Sequence, residues 1–393
     1  MSELVVFDDD GGAFGPLTQM RPVFAVRTGG VTTLERIERL LGRFPSRFLV
    51  PDRLQGTLES RVSMPVNQSP EAEGLYVNGR WNAIGELPEL DLDQAAMIGE
   101  AVLAARLSPA MAGEYFQTCR LPDGVATHQV EDECLYERPW DILDMLPEVL
   151  GVDLSTTGIR EDRVDPGEQV GEHPVHLHES AGVFPGVVFD TTAGPIVIEA
   201  DAVIRPRAVI CGPAWIGRGS IVADGAVIRS NTVLGPGCKV GGELGATILQ
   251  AWSNKAHDGY LGDSIVGAWV NLGAGTTTSN LLNTYGEISV RLAPDAARER
   301  TGRSFVGSFI GDHVKTAIGT RLMTGTSIGT GSMIATSGHA PSTVGSMRWV
   351  TDAGEKPYRI ERFLGMTRAM MDRRDRELDA ADEHRLRELA DAP

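Results

Sequence analysis

Residues 257–276 read HDGYLGDSIVGAWVNLGAGT, a stretch with five glycines, one histidine, one tyrosine and one asparagine. An imidazole whose ordinary pKa is about 6.5 is matched to taking and returning a proton at neutral pH. Amide side chains such as Asn271 orient a reacting group and hold a developing oxyanion. Glycines let backbone come close to a ligand. His257 alone reads as a solvated loop histidine.

The elements that must position these residues show a strict rhythm. Ile198, Ile204, Ile210, Ile216, Val222, Ile228, Leu234 and Val240 are eight aliphatics at a spacing of six, with glycines between them. A helix wants a period of about 3.6 and a lone strand wants 2, so neither fits. A period of six is the hexapeptide signature of a β-helix, in which three hexads close one triangular coil and the repeated aliphatic points inward. Prisms of this kind are left-handed, against the usual right-handed crossover. The period lapses after Val240, resumes at Val266, Leu272 and Thr278, and returns at Ile310, Thr316, Leu322, Ile328 and Ile334. Two excursions are therefore expected, near 243–262 and 283–305, the first leaving the prism to place His257.

Before the prism, residues 1–150 read as an α/β domain. LVVF (4–7) is a strand feeding the turn Asp8-Asp9-Asp10-Gly11-Gly12. Residues 32–44 are a helix capped by Thr32 or Thr33, RFLV (47–50) is a strand, and GLYVNGRWNAIG (74–85) is a hairpin turning at Asn78-Gly79. Residues 139–154 read as a helix, 151–175 as a linker, 176–350 as the β-helix and 351–393 as a helical tail. The expected architecture is an α/β domain, a left-handed parallel β-helix and a C-terminal helix.

With 36 Lys and Arg against 53 Asp and Glu, the net charge of −17 argues against nucleic acid or an anionic membrane as partner. A phosphorylated small molecule needs only a few local arginines. The four cysteines have no CxxC pairing, which points to reduced thiols in the cytoplasm. The acidic N-terminus lacks the pattern of a signal peptide or a membrane span. His173, His176 and His178 (HPVHLH) invite a zinc reading, but outward histidines on the first prism strand suffice.

The segment VGGELGATILQAWSNKAHDGYLGDSIVGAWVNLGAGTTTSNLLNTYG (240–286) resembles the acetyltransferase domain of the bifunctional N-acetylglucosamine-1-phosphate uridyltransferase/glucosamine-1-phosphate acetyltransferase family. The likeness is to a branch with a shortened nucleotidyltransferase domain. The H-x-x-Y-L-G-D block followed by V-N-L-G-A-G-T carries it. The resemblance implies His257 as the catalytic base that frees the acceptor amine. It implies Tyr260 and Arg229 on the sugar phosphate, and Asn271 and Asn280 at the sugar, acetyl group and thioester. The family's helper lysine has no counterpart near 246–248, and Lys255 is the substitute nearest in sequence. Ile318 stands where the family has a serine.

Residues 11–37 resemble the nucleotidyltransferase opening through Pro16-Leu17-Thr18 and Arg21-Pro22, with Val23 at the place of a lysine. The resemblance implies nucleotide binding by Gly11, Gly12, Arg21 and Arg27, and Mg²⁺ held by one of Asp8, Asp9 and Asp10. It further implies acetyl-CoA as acyl donor, a sugar phosphate and a nucleotide as substrates, and a homotrimer with acyl-CoA between neighbouring prisms. UDP-N-acetylglucosamine is the implied product. The rivals are an acetyltransferase with an inactive or differently specific first domain, and a non-catalytic trimerising scaffold.

Overall fold

A computed structural model describes residues 2–118, 120–131, 134–158 and 167–392. Cys119 and the middle of the expected linker, 159–166, lie outside the described residues. Strand β1 (Glu3–Phe7) contains the LVVF run, and β2 (Arg47–Leu49) and β3 (Gly74–Asn78) flank it in parallel. Strands β4 (Gln94–Ile98), β5 (Ala101–Leu107) and β6 (Ala126–Gln129) complete a sheet of order β2-β1-β3-β5-β4-β6. Alternation along β1 sends Leu4 and Val6 into one buried layer and Val5 and Phe7 into the other.

Helix α1 (Thr33–Leu41) begins at Thr32, whose hydroxyl accepts from the Glu35 amide while the Glu35 carboxylate accepts from the Thr32 amide. It stops at Gly42, where φ is +64°. Helices α2 (Asp52–Glu59) and α3 (Pro109–Thr118) pack on the sheet, and α4 (Pro139–Ser155) carries the chain out, past the expected boundary at 150. The hairpin expected at 74–85 does not form. Strand β3 pairs instead with β1 and, antiparallel, with β5, which covers both its edges. Asn78 does turn the chain, its carbonyl accepting from the Trp81 amide (3.1 Å), while its buried side chain donates to Asp9 (2.9 Å) and to the Val102 carbonyl (2.7 Å).

From Glu168 onward the chain winds as a parallel β-helix. Its longest face has nine strands, from Val175–Leu177 to Thr343–Val344; a second has six, ending at Tyr260–Gly262; a third has five, ending at Asn254–Lys255. Ile198 pairs with Ile216 and Ile216 with Leu234, so a regular coil is 18 residues. Leu234 then pairs with Leu249 and Val240 with Lys255, only 15 residues on. The first expected excursion is therefore absent. The period lapsed because a coil lost three residues, while strands at Glu243–Gly245, Ile248–Leu249, Asn254–Lys255 and Tyr260–Gly262 all stay in the stack. The second excursion is present: Ser289–Val290 pairs antiparallel with Glu299–Arg300 as an arm off the prism.

The arm and the first domain cover one prism face. Val197, Trp215, Val233, Ile248, Ile265 and Phe309 point outward from the nine-stranded face. They are buried against Phe14, Leu17, Val23, Trp140, Leu143 and Leu146 of the first domain and Ile288 and Val290 of the arm. Gln250 accepts from the Arg27 amide and donates to its carbonyl, both at 2.9 Å, and Arg303 pairs with Asp144 of α4. The tail forms α5 (Ile360–Asp372) and α6 (Ala380–Asp391), which pack with Met20 and Met347. No helix among the described residues is long and apolar enough to cross a membrane. The Trp215 indole lies so close to Gly30 that a Cβ there would sit 2.3 Å from its ring. Trp215→Ala should lower unfolding free energy by about 3–5 kcal/mol in urea titration. A loss below about 1 kcal/mol would mean that this indole does not hold the domains together.

Two lysines interrupt the apolar packing. Lys255 occupies the inward row between Val240 and the next coil and is 1% exposed; Lys315 is 9% exposed beside inward Thr316. Each ammonium caps corner carbonyls: Lys255 those of Gly241, His257 and Asp258, Lys315 those of Trp269 and His313. Burial pushes Lys255 down to about 8, with Asp258 pulling the other way, and Lys315 down to about 7 against Asp312. Above these values the folded chain holds fewer protons than the unfolded one, up to the ordinary lysine value of about 10.4, so these groups make stability rise with pH across that window. Buried Cys238, pushed up to about 12, acts oppositely once pH passes its ordinary value. Urea midpoints should therefore rise from about pH 7 to 8.5, and Lys315→Met should flatten the rise. An unchanged slope in that variant would refute the assignment.

Candidate functional site

The corner at residues 256–259 joins strand Asn254–Lys255 of one face to strand Tyr260–Gly262 of another. Gly259 has φ +111°, and a Cβ there would lie 2.1 Å from the Thr276 carbonyl, so only glycine lets the corner lie on the next coil. His257 is exposed at this corner. Lys255 is corrected from a substrate ligand to a clamp: its ammonium points under the corner and ties down the carbonyls of His257 and Asp258. It holds the backbone of the candidate base and does not face a ligand.

His257 and Asn271 line one groove of about 670 Å³, walled on its far side by Met366, Ala369 and Met370 of α5 and by Arg373 and Arg374 just beyond it. Arg374 donates to the Asn254 Oδ1 (2.8 Å), and the Asn254 side-chain amide donates to the Asn271 Oδ1 at 3.4 Å. Asn271 is thus oriented from the tail. Ile318, 79% exposed, also lines this groove.

Tyr260, Asn280 and Arg229 form a second group along the six-stranded face. The Asn280 amide donates to the Tyr260 hydroxyl (3.2 Å) and to Asp263 (2.6 Å), and Arg303 lies 3.8 Å from Asp263. Burial raises the Tyr260 hydroxyl above its usual value, and the nearby Asp263 and Glu243 charges add to this. Burial likewise raises Asp263, offset in part by Asn280 and Arg303. The Tyr260 ring lies over Gly262, where a Cβ would meet the hydroxyl at 2.2 Å. Arg229 is mostly exposed and paired with Glu243. The five residues are thus shared between two faces that meet at one corner. Sequence reasoning missed Asn254, Lys239, Arg303, Arg373 and Arg374. The arginines of the tail carry no local signal, whereas Asp263 was the last residue of the H-x-x-Y-L-G-D block.

The first domain corrects several expectations. Gly11 approaches protein: a Cβ on it would sit 2.7 Å from the Arg80 guanidinium, and one on Gly12 would sit 2.8 Å from the Glu137 carbonyl. Arg21 pairs with Asp312 of the prism, and Arg27 donates to the Gly30 carbonyl while its backbone is held by Gln250. Both arginines, expected on a nucleotide, belong to the domain interface. The aspartates do not fit a divalent cation. Asp9 takes two bonds from Arg80, at 2.9 and 2.7 Å; burial raises its carboxyl, but Arg80 and Asn78 more than offset this. Asp10 pairs with Arg53. Asp8 is raised by burial despite accepting from the Val23 and Asp10 amides. Among the described residues no three His, Cys, Asp or Glu side chains gather to hold a metal.

Comparison with known proteins gives two family matches. Residues 4–160 match the sugar nucleotidyl transferase model, and residues 195–230 match the bacterial transferase hexapeptide model of six repeats. A bifunctional sugar-1-phosphate nucleotidylyltransferase/acetyltransferase of Sulfurisphaera tokodaii is 35% identical over 138 residues, 35% of this chain and 34% of that protein. The bifunctional protein GlmU of Methanococcus aeolicus is 32% identical over 199 residues, 50% of this chain and 42% of that protein. GlmU of Methanococcus maripaludis is 34% identical over 188 residues, 47% and 44%. The chain spans about a third to two-fifths of the length of the curated relatives it matches. By these matches residues 4–160 are similar to the sugar nucleotidyl transferase family and residues 195–230 to the bacterial transferase hexapeptide family, within one chain.

Proposed function

We propose that this chain transfers the acetyl group of acetyl-CoA to the amine of glucosamine-1-phosphate, and that its first domain serves nucleotidyl transfer to the sugar-1-phosphate on the way to UDP-N-acetylglucosamine. The observation that carries the acetyl step is an exposed imidazole on a pinned corner, opening with Asn271 onto a groove of about 670 Å³. His257 takes a proton as the neutral amine forms a bond to the thioester carbonyl carbon. The Asn271 amide donates to the oxyanion. Collapse breaks the carbon–sulfur bond, and the proton leaves with the CoA thiolate. Tyr260 and Arg229 meet the acceptor's sugar and phosphate, and Asn280 holds the Tyr260 hydroxyl.

The two groups of residues stand on different faces, which favours a homotrimer in which a neighbouring prism completes each site. Light scattering should give a trimer at micromolar concentration; a monomer there refutes the shared site. His257→Ala should fold and assemble normally and lose acetyl transfer by roughly 10²–10⁴, the usual worth of a positioned base. CoA release within about threefold of wild type would remove His257 from the reaction.

A second reading, acetyl transfer alone, gains support from the use of Gly11, Arg21 and Arg27 inside the fold. With Val23 in place of a charged ligand, a missing phosphate contact of about 1.5–3 kcal/mol slows the nucleotidyl step by roughly 10–150-fold. Pyrophosphate release from UTP and N-acetylglucosamine-1-phosphate should then fall well below the ordinary enzyme turnover of about 10 s⁻¹. Turnover at that ordinary rate would show that other groups bind the triphosphate.

A further inference from the structure

The arm that leaves the prism after Asn280 brings a charge back to the Tyr260 group. At the arm's base the Val306 amide donates to the Asn280 carbonyl (2.9 Å) and the Gly307 amide to the Asp263 carbonyl (2.7 Å). Arg303 thereby stands 3.8 Å from the Asp263 carboxylate, while it also pairs with Asp144 of α4. Burial pushes the Asp263 carboxyl up, and Asn280 and then Arg303 oppose that, which favours the carboxylate. A carboxylate only accepts, so it decides which way round the Asn280 amide stands. The Asn280 Nδ2 donates to Asp263 (2.6 Å) and to the Tyr260 hydroxyl oxygen (3.2 Å), which spends both its hydrogens. Among the described residues no hydrogen bond reaches the Asn280 Oδ1, and none takes the Tyr260 proton. Burial, Asp263 and Glu243 all raise Tyr260, so the hydroxyl keeps that proton at neutral pH.

We propose that Asp263 and Arg303 are positioning residues that set the polarity of the acceptor group, leaving Asn280 to offer an oxygen and Tyr260 a hydrogen. That pair fits a ligand with an anionic oxygen beside a group that has hydrogens to give, such as a phosphate near a hydroxyl or an amine. Arg229, close enough for its charge to act on Tyr260, adds the cation. Neither Asp263 nor Arg303 needs to touch the ligand; Asp263 acts through Asn280, and Arg303 through Asp263. Because Arg303 is also tied to α4, the first domain helps to hold the acceptor group in register. This assignment rests on the acetyl-transfer reading above and says how that site tells its acceptor from other sugars.

Asp263→Asn is isosteric, and asparagine suits the left-handed backbone there, φ +44°. Arg303 donates to the new side-chain oxygen, so the new NH₂ faces Asn280 and turns that amide round. The Tyr260 proton is then drawn inward to the Asn280 Oδ1, and an N–H faces the ligand instead. Calorimetric titration with glucosamine-1-phosphate and steady-state CoA release, both on the full chain, test this. Asp263→Asn should weaken glucosamine-1-phosphate by about tenfold or more in Kd and KM, the usual worth of a hydrogen bond to a charged group. KM for acetyl-CoA should stay within about threefold. Arg303→Met should weaken the acceptor severalfold, and Arg303→Lys, which keeps the charge, should recover most of that loss. Since one residue acts through the other, Asp263→Asn combined with Arg303→Met should be no weaker than Asp263→Asn alone. Melting temperature controls for folding, and if Asp263→Asn does not fold, the methionine loss and lysine recovery at 303 decide. An acceptor Kd within about threefold of wild type in Asp263→Asn, an equal loss for acetyl-CoA, no recovery by lysine, or losses that multiply in the double variant overturns the assignment. The two readings fail separately. A wild type that binds glucosamine-1-phosphate through this group but releases no CoA keeps the polarity and sinks the reaction. A His257→Ala variant that still transfers acetyl removes the base and leaves Asp263 and Arg303 in their roles.

Discussion

Everything else in the architecture answers to one prism face that is apolar on both sides. A β-helix strand ordinarily shows its inner residue to the core and its outer residue to water. On the nine-stranded face Val197, Trp215, Val233, Ile248, Ile265 and Phe309 point outward and are all 1% exposed or less. At roughly 25 cal/mol per Å² of apolar surface, leaving such a row wet would cost more than most domains have in reserve. The first domain is the cover. Its helix α4 and the segment from Phe14 to Val31 lie on the row, and the 283–305 arm closes the gap.

That cover constrains the first domain's chemistry. The segment from Phe14 to Val31, with Arg21 and Arg27, is the part of the domain that sits on the prism. Arg21 is neutralised by Asp312, and the backbone of Arg27 is held by Gln250. Deeper in, Arg80 fills the space beside Gly11 and binds Asp9 with both ends of its guanidinium. The buried Arg36–Asp153 pair, 2% and 0% exposed, ties α1 to α4 and locks the same loop. Breaking such a pair leaves a buried charge without a partner, so the loop is rigid. A loop bound this way serves docking first.

The prism itself trades stability for position at the 256–259 corner. An aliphatic at 255 would continue the stack, and a lysine there loses hydration that burial does not return. What the ammonium provides is three hydrogen bonds to carbonyls of tight corners, two of them those of His257 and Asp258. The corner stands still because the charge beneath it does. From the other side α5 brings Arg374 to Asn254 and so to Asn271, while α6 meets the first domain through Asp382 and Arg61 and through Arg385 and the Gln19 carbonyl. The tail therefore touches both halves of the molecule.

The hexapeptide period, the β1 strand, the start of α1 at Thr32 or Thr33 and the α4 helix were legible in the sequence, because each follows from contiguous residues or a fixed repeat. His257 and Asn271 were singled out by the family resemblance of their motif, and only the fold brings the two side chains to one groove. The Asn78-Gly79 pair turns the chain as its type suggests, but it misled as a hairpin signal because β5, more than 20 residues on, won the edge of β3. The supposed excursion at 243–262 misled because a shortened coil breaks a period without leaving a stack. The roles of Lys255, Arg21 and Arg374 depended on tertiary structure alone. A long cationic side chain is directed by whichever carbonyl or carboxylate the fold brings within reach. For Arg21 that is Asp312, 291 residues away, and for Arg374 it is Asn254, 120 residues away. Local pattern determines which way a short aliphatic points; only the packed chain decides what an arginine finds.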